Sequence, residues 1–172
     1  GRIKGLPGWN FSDWVDTEVW QQGVALAGPD GVGILMDLQL LLALQMMSEL
    51  ENYQGNTFMA NKYDQAAAKL KEGIQNACWD AGKGLYAQTI EKKLFSQHAN
   101  SLAILTGMVS GEQAKQVAQK MLTDTTLSQC SVYYKFYLHE ALVKAGLGND
   151  YLKWLDIWRE NIAQGLTTWA ED

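Results

Sequence analysis

Residues 96–122 read SQHANSLAILTGMVSGEQAKQVAQKML, and two different helices lie in that stretch. From Ser96 to Gly107 the residues Gln97, His98, Ala99, Asn100, Leu102, Ala103, Ile104 and Leu105 are small or apolar on most sides. That is the composition of a helix buried nearly all round. After Gly107 the pattern changes. Ser110 with Gln113 is a capping-box pattern. The helix it opens, to about Leu122, puts Ala114, Val117, Ala118 and Met121 on one stripe and charge elsewhere, which marks an amphipathic outer helix. A buried helix and a half-buried helix joined by a short glycine turn make an α-hairpin with an inner and an outer arm.

The same alternation recurs on both sides. Upstream, residues 32–53 are a near-continuous apolar run through Ile34, Leu35, Leu38, Leu41, Leu42, Leu44 and Leu50, with Met36, Met46 and Met47 read as core filler. Asp37, Gln39, Gln45 and Glu49 interrupt the run, so it is not a membrane span. Residues 57–79 then place Ala66, Ala67, Leu70, Ile74 and Ala77 at helical spacing against lysines. Downstream, residues 131–145 are rather apolar and stop at Gly146, and 149–164 carry Leu152, Leu155, Ile157, Trp158 and Ile162 on a polar background. Between these lie an irregular 80–95 link, with Leu85–Ala87 as a short extended piece, and a polar link over 123–129.

Six helices are therefore expected, at 32–53, 57–79, 96–106, 111–122, 131–145 and 149–164, alternating apolar and amphipathic. The fold class is all-α. Three such hairpins are half of an (α/α)6 barrel; a helical bundle or a solenoid would give the same periodicity. In a stack of antiparallel hairpins the outer-to-inner links gather at one end and the short joins at the other.

Composition narrows the functional classes. The 172 residues are 47% hydrophobic and 19% charged, which fits one globular domain with a core. The net charge of -5 and the lack of a basic cluster argue against nucleic acid as partner. Cys78 and Cys130 support neither a disulfide framework nor a structural zinc site.

Candidate chemistry sits in the loops. Both prolines, Pro7 and Pro29, and six glycines fall within residues 1–31. Inside that segment Gly8-Trp9-Asn10-Phe11-Ser12-Asp13-Trp14-Val15-Asp16 interleaves indole rings with carboxylates, the combination a sugar site uses. The bland alternative is a loop that packs Trp9 and Trp14 into the core and caps turns with Asp13 and Asp16. At the other end, Gly165-Leu166-Thr167-Thr168-Trp169-Ala170-Glu171 ends a helix and holds one carboxylate beside an indole; the alternative there is a frayed tail. His98 is either a satisfied core histidine or a polar group at a site, and His139 is read as surface. The Tyr133-Tyr134 pair is expected to split, one ring to the core and the other toward the site.

Three of these strings together resemble the bacterial α-L-rhamnosidases, glycoside hydrolase family 78 of the six-hairpin glycosidase superfamily. Gly8–Trp14 resembles the family's aromatic loop ending in Asp-Trp. Ser96–Asn100, followed by Leu102–Gly107, resembles one of its helices. Gly165–Glu171 is similar to the Gly-x-Thr-Thr-x-x-Glu that carries the family's general base.

The resemblance implies a carbohydrate substrate with terminal rhamnose, Glu171 as general base, and Trp9, Asp13, Trp14, His98 and Trp169 around the sugar. It implies inversion, in which an acid protonates the leaving oxygen while a carboxylate roughly 6.5–9.5 Å away activates water. No metal or other cofactor is expected for that mechanism. The family's general acid is a Glu in an Asp-rich motif ahead of the Asp-Trp loop, a position upstream of Gly1. The chain is thus expected to be the C-terminal half of a catalytic domain, with the remainder of that domain as its partner and a periplasmic or extracellular parent. Another six-hairpin glycosidase, such as a debranching-enzyme-like glucosidase, is the alternative within enzymes; a non-catalytic helical scaffold or carbohydrate-binding module is the alternative outside them.

Overall fold

A computed structural model describes residues 1–15 and 20–170. An irregular N-terminal segment leads into α1 (Ile34–Tyr53) and α2 (Thr57–Cys78). Two short antiparallel strands follow, β1 (Trp79–Asp80) and β2 (Leu85–Tyr86), then α3 (Gln97–Leu105) and α4 (Gly111–Thr123). After a link come α5 (Lys135–Leu142), a π-helical turn over Val143–Leu147, a 3-10 segment over Gly148–Trp154 and α6 (Asp156–Ala163). No helix among the described residues is long and apolar enough to cross a membrane.

The helices form three hairpins in two layers. The inner arms are α1, α3 and α5, with α3 packed between the other two. Every residue of α3 from Gln97 to Ile104 is buried. Two of the outer arms bury one stripe each, Ala67, Leu70 and Ile74 of α2 and Ala114, Val117, Ala118 and Met121 of α4, while α6 of the third buries Asn161 alone. These stripes meet Leu35, Leu38, Leu102, Ile104, Leu138 and Leu142 in one core cluster. Burial of roughly 25 cal/mol per Å2 of apolar surface drives that assembly. The all-α half-barrel expectation is met: three hairpins with inner and outer layers.

The links sort by end. At one end the Ser128 amide donates to Phe95 O (3.0 Å) and the Gln97 amide to Ser128 O (3.0 Å), which stitches the 123–130 link to the 80–95 link. The Ile34 amide donates to Gln88 O (3.0 Å), bringing the start of α1 to the same place. At the other end Gln45 Nε2 donates to Thr106 O (2.9 Å) and Lys144 Nζ to Leu105 O (2.7 Å). There the short joins gather, and Gly146, at φ 84°, ends the last inner arm in the left-handed region.

Several local expectations need correction. Ser110 occupies the N-cap position of α4, but its side chain makes no capping bond; Ser96, which caps α3 by accepting from the Ala99 amide (3.1 Å), does that work instead. Met46 and Met47 are exposed rather than core filler, and Leu50 is exposed with them. The reason is length. The 20 residues of α1 run about 30 Å, and the nine of α3 run about 14 Å, so α3 covers only the first half of α1. The last inner helix starts at Lys135 instead of 131, because residue 131 is engaged elsewhere. The expected 149–164 helix is two pieces, broken at Leu155 (φ -91°, ψ 14°). Finally His139 is buried, not surface: the 3-10 segment carries Tyr151 and Trp154 over its ring (centroids 5.3 and 5.7 Å), and Trp158 closes from α6 (5.4 Å).

Candidate active site

The first turn of α3 is a polar hub at the end where the links meet. Ser96, Gln97, His98, Asn100 and Ser101 are all buried, and a buried polar group must find a partner. Most of the partners found here lie in links, and the others include Met121 of α4. Gln97 Nε2 donates to Met121 O (2.8 Å) and its Oε1 accepts from the Cys130 amide (2.8 Å). Asn100 Oδ1 accepts from the Tyr86 amide (2.9 Å) while its Nδ2 donates to Tyr86 O (3.0 Å), so a side chain completes the edge of β2. Gln88 Nε2 donates to Ser96 Oγ (2.8 Å).

His98 reaches the N-terminal loop. Its Nε2 lies 2.6 Å from Asp13 Oδ2, and both side chains are fully buried. Asp13 also accepts from the Ser131 amide (2.9 Å) and from the Ser131 hydroxyl. The imidazole lies between the rings of Trp20 (4.7 Å) and Tyr134 (4.4 Å). Burial pulls its pKa below the ordinary histidine value, against the opposing pull of Asp13. A neutral ring with its proton on Nε2 fits this pattern: it donates to the carboxylate, while Nδ1 has no hydrogen-bond partner among the described residues.

The loop around Asp13 carries an aromatic cluster. Phe11 touches Trp9 (5.2 Å), Trp14 (4.9 Å, edge-on) and Tyr133 (6.5 Å). Trp9 is 62% exposed and Tyr133 54%, while Tyr134 next to it is core. The tyrosine pair thus splits. Trp9 Nε1 donates to Gln22 O (2.8 Å), which holds an exposed indole in place.

The tail folds back on α6. The Leu166 amide donates to Asn161 O (3.1 Å) and the Ala170 amide to Asn161 Oδ1 (3.4 Å). Trp169 helps line a hollow of about 630 Å3 with Val132, Phe136, His139, Tyr151 and Trp158. Val132 follows Ser131, so this hollow adjoins the Asp13 cluster along the chain. Glu171 and Asp16 lie outside the described residues.

Of the residues expected at a sugar, then, Trp9 and Trp169 are exposed, Trp14 is half-buried within the aromatic cluster, and Asp13 and His98 are buried together. Ser131 and Trp20 were not anticipated. Ser131 had one legible trace: it stands two residues before the tyrosine pair, at the start of an apolar run.

Comparison with known proteins agrees with this architecture. Residues 2–143 match the family described as bacterial alpha-L-rhamnosidase 6 hairpin glycosidase domain. The match takes in all three inner arms and stops before α6 and the tail. Among solved structures, the chain is similar to a GH78 family rhamnosidase of Bacillus sp. GL1, with a TM-score of 0.77 at 24% identity over 94% of this chain. It is also similar to a rhamnosidase from Klebsiella oxytoca with rhamnose bound, with a TM-score of 0.70 at 18% identity over 77% of this chain. At that identity they share the fold. The chain spans 17% of the first protein's length and 26% of the second's. No protein with a curated description matches it.

Proposed function

The chain belongs to the bacterial α-L-rhamnosidase six-hairpin glycosidase family, and from that premise we propose that it is the C-terminal half of an (α/α)6 catalytic barrel in an inverting α-L-rhamnosidase. The observation that carries the reading is convergence. The Asp13 loop, the first turn of α3 and residue 131 are brought together by hydrogen bonds spanning 85 and 118 positions, at the barrel end where the links gather. A bundle of unrelated design has no reason to assemble an aromatic loop there.

In the proposed mechanism Glu171 takes the proton of a water that attacks the anomeric carbon. A carboxylic acid from the rest of the domain protonates the leaving oxygen on the opposite face. Trp9, Trp14 and Trp169 offer apolar faces to the C–H side of the sugar ring and its methyl group. Water must stand between the general base and the anomeric carbon, so the product sugar has inverted configuration.

The test uses the complete protein and an aryl α-L-rhamnoside. Glu171→Gln is expected to lower kcat on the order of 10²–10⁴-fold, the range of general acid–base catalysis, and NMR of early product should show the inverted anomer. Turnover of an aryl glucoside in preference to the rhamnoside would assign the protein to another six-hairpin glycosidase. Absence of any turnover, with binding of sugars retained, would favour a carbohydrate-binding scaffold.

A further inference from the structure

Asp13 is the residue that a sugar site would be expected to use directly, yet it has no surface to offer. Its carboxylate is completely buried. Three donors already close on its two oxygens: His98 Nε2, the Ser131 amide and the Ser131 hydroxyl. A sugar hydroxyl could reach it only by displacing one of them. We infer that Asp13, with His98 and Ser131, is a positioning device: it sets the aromatic surface of Trp9, Phe11, Trp14 and Tyr133 and does not itself touch the sugar. This rests on the glycosidase reading above for the identity of the ligand, a saccharide ring.

The geometry shows how one carboxylate sets both sides of that surface. Within the loop, Asp13 stands between Phe11 and Trp14. Across the mouth, its partner Ser131 stands two residues before Tyr133. Fixing Asp13 to Ser131 therefore fixes the separation of Phe11 and Tyr133, whose ring centroids lie 6.5 Å apart. The loop is stiffened from behind as well. The amides of Ser12 and Asp13 both donate to Gly23 O (2.8 and 3.3 Å). Gly23 sits at φ 72°, and a Cβ there would come within 2.5 Å of the Phe11 ring, so the ring lies directly on glycine backbone. Side-chain bonds to a buried carboxylate are charge-assisted and directional, which suits them to hold a loop that has no regular structure. His98 contributes from the third side, its ring packed between Trp20 and Tyr134.

Trp9 and Tyr133 are then the output. Both rings are more than half exposed although Asp13 and His98 behind them are fully buried. Aromatic faces bound at fixed spacing stack on the apolar face of a pyranose. Such a contact contributes to binding in ground state and transition state alike, so its loss appears in KM before kcat.

The experiment compares Asp13→Asn, Ser131→Ala, His98→Ala and His98→Gln in the complete protein, by steady-state kinetics on the aryl rhamnoside and by near-ultraviolet circular dichroism of the aromatic cluster. Asp13→Asn, Ser131→Ala and His98→Ala are expected to change the aromatic spectrum and raise KM about tenfold, with kcat within about threefold. His98→Gln keeps an N–H for Asp13 and should restore both readouts. Trp9→Ala should raise KM similarly and combine non-additively with Ser131→Ala, as residues acting through one surface do. A kcat loss of about 100-fold or more in Asp13→Asn, with KM and spectrum unchanged, would overturn the inference and make Asp13 a catalytic residue. Strict additivity of Trp9→Ala and Ser131→Ala would overturn it too. If the complete protein cleaves no glycoside, the functional reading fails, but the spectra still decide the device: an unchanged aromatic band in both Ser131→Ala and Asp13→Asn sinks it.

Discussion

Arg2 Nε lies 2.6 Å from Asp37 Oδ2, and the carboxylate it meets is completely buried in the first inner helix. The Ile3 amide donates to the other oxygen (2.7 Å). Burial pushes the Asp37 carboxyl up, opposed by the Ile3 amide and by Arg2. The N-terminal segment is therefore fastened to α1 by a pair that water does not reach freely. Breaking such a pair on one side typically costs about 3 kcal/mol or more, because the remaining charge stays buried. Arg2→Met should lower the unfolding free energy measured in urea by an amount of that order, whereas a change under about 0.5 kcal/mol, the range of a surface substitution, would show the pair to be incidental.

Acid should destabilise the fold through its two histidines. Burial lowers the pKa of His98, against Asp13, and that of His139, where Lys135 adds to the effect. The unfolded chain therefore binds protons first as pH falls. Stability is full above the ordinary value near 6.5 and declines as pH drops below it. Urea midpoints taken between pH 8 and pH 5 should fall, and the fall should be shallower in His139→Gln. A midpoint that rises toward acid would contradict the assignment.

Neither cysteine should react while the protein is folded. Burial pushes the Cys78 thiol up to about 11, and Cys130 is raised by burial and then by Asp13. The thiolate is the nucleophile, so both side chains are inert. A thiol reagent at pH 8 should modify neither in native buffer and both in denaturant. Rapid native labelling of Cys130 would mean that the Asp13 cluster opens.

The chain by itself should be adhesive. Met46, Leu50, Tyr53 and Phe58 are exposed toward one end, and Phe136, Leu152 and Ile162 along the last hairpin. Contiguous apolar surface of this kind marks an interface. Light scattering should detect self-association, or a hydrophobic dye should bind. A dye-silent monomer at high concentration would point instead to a self-contained bundle.

The chain by itself should also be inactive on an aryl rhamnoside. One carboxylate cannot act as acid on one face of the sugar and as base on the other. Rates equal to those of a Glu171→Ala control are expected, and turnover well above that control would refute the two-carboxylate reading.

Much of the architecture was legible because it rests on period. The stripe Ala114, Val117, Ala118 and Met121 is buried as its spacing requires, and the run from Gln97 to Leu105 is the inner arm its composition describes. What period cannot show is where a helix outruns its neighbours. Met46 looks like core in a list of residues, and only the shortness of α3 leaves it exposed. His139 failed for a related reason: its cover comes from a 3-10 segment that breaks the helical period at Leu155. For the site, the Asp13 loop was visible from its chemistry and His98 from its helix. Their bond was not, because hydrogen bonds spanning 85 positions leave no trace in local pattern. Ser131 was the least visible, since a serine at a link has many uses.

The bonds on Asp13 also set an order of assembly. The Asn100–Tyr86 bonds join residues 14 positions apart, while those from Ser131 to Asp13 close a loop of 118. Closing the longer loop costs more chain entropy and comes later. A chain emerging from the ribosome carries Asp13 out long before its donors exist. A product truncated between His98 and Ser131 keeps the first hairpin intact, yet must bury a carboxylate with two of its three donors missing or leave the aromatic loop undocked. Docking of the aromatic loop thus waits on the arrival of residue 131.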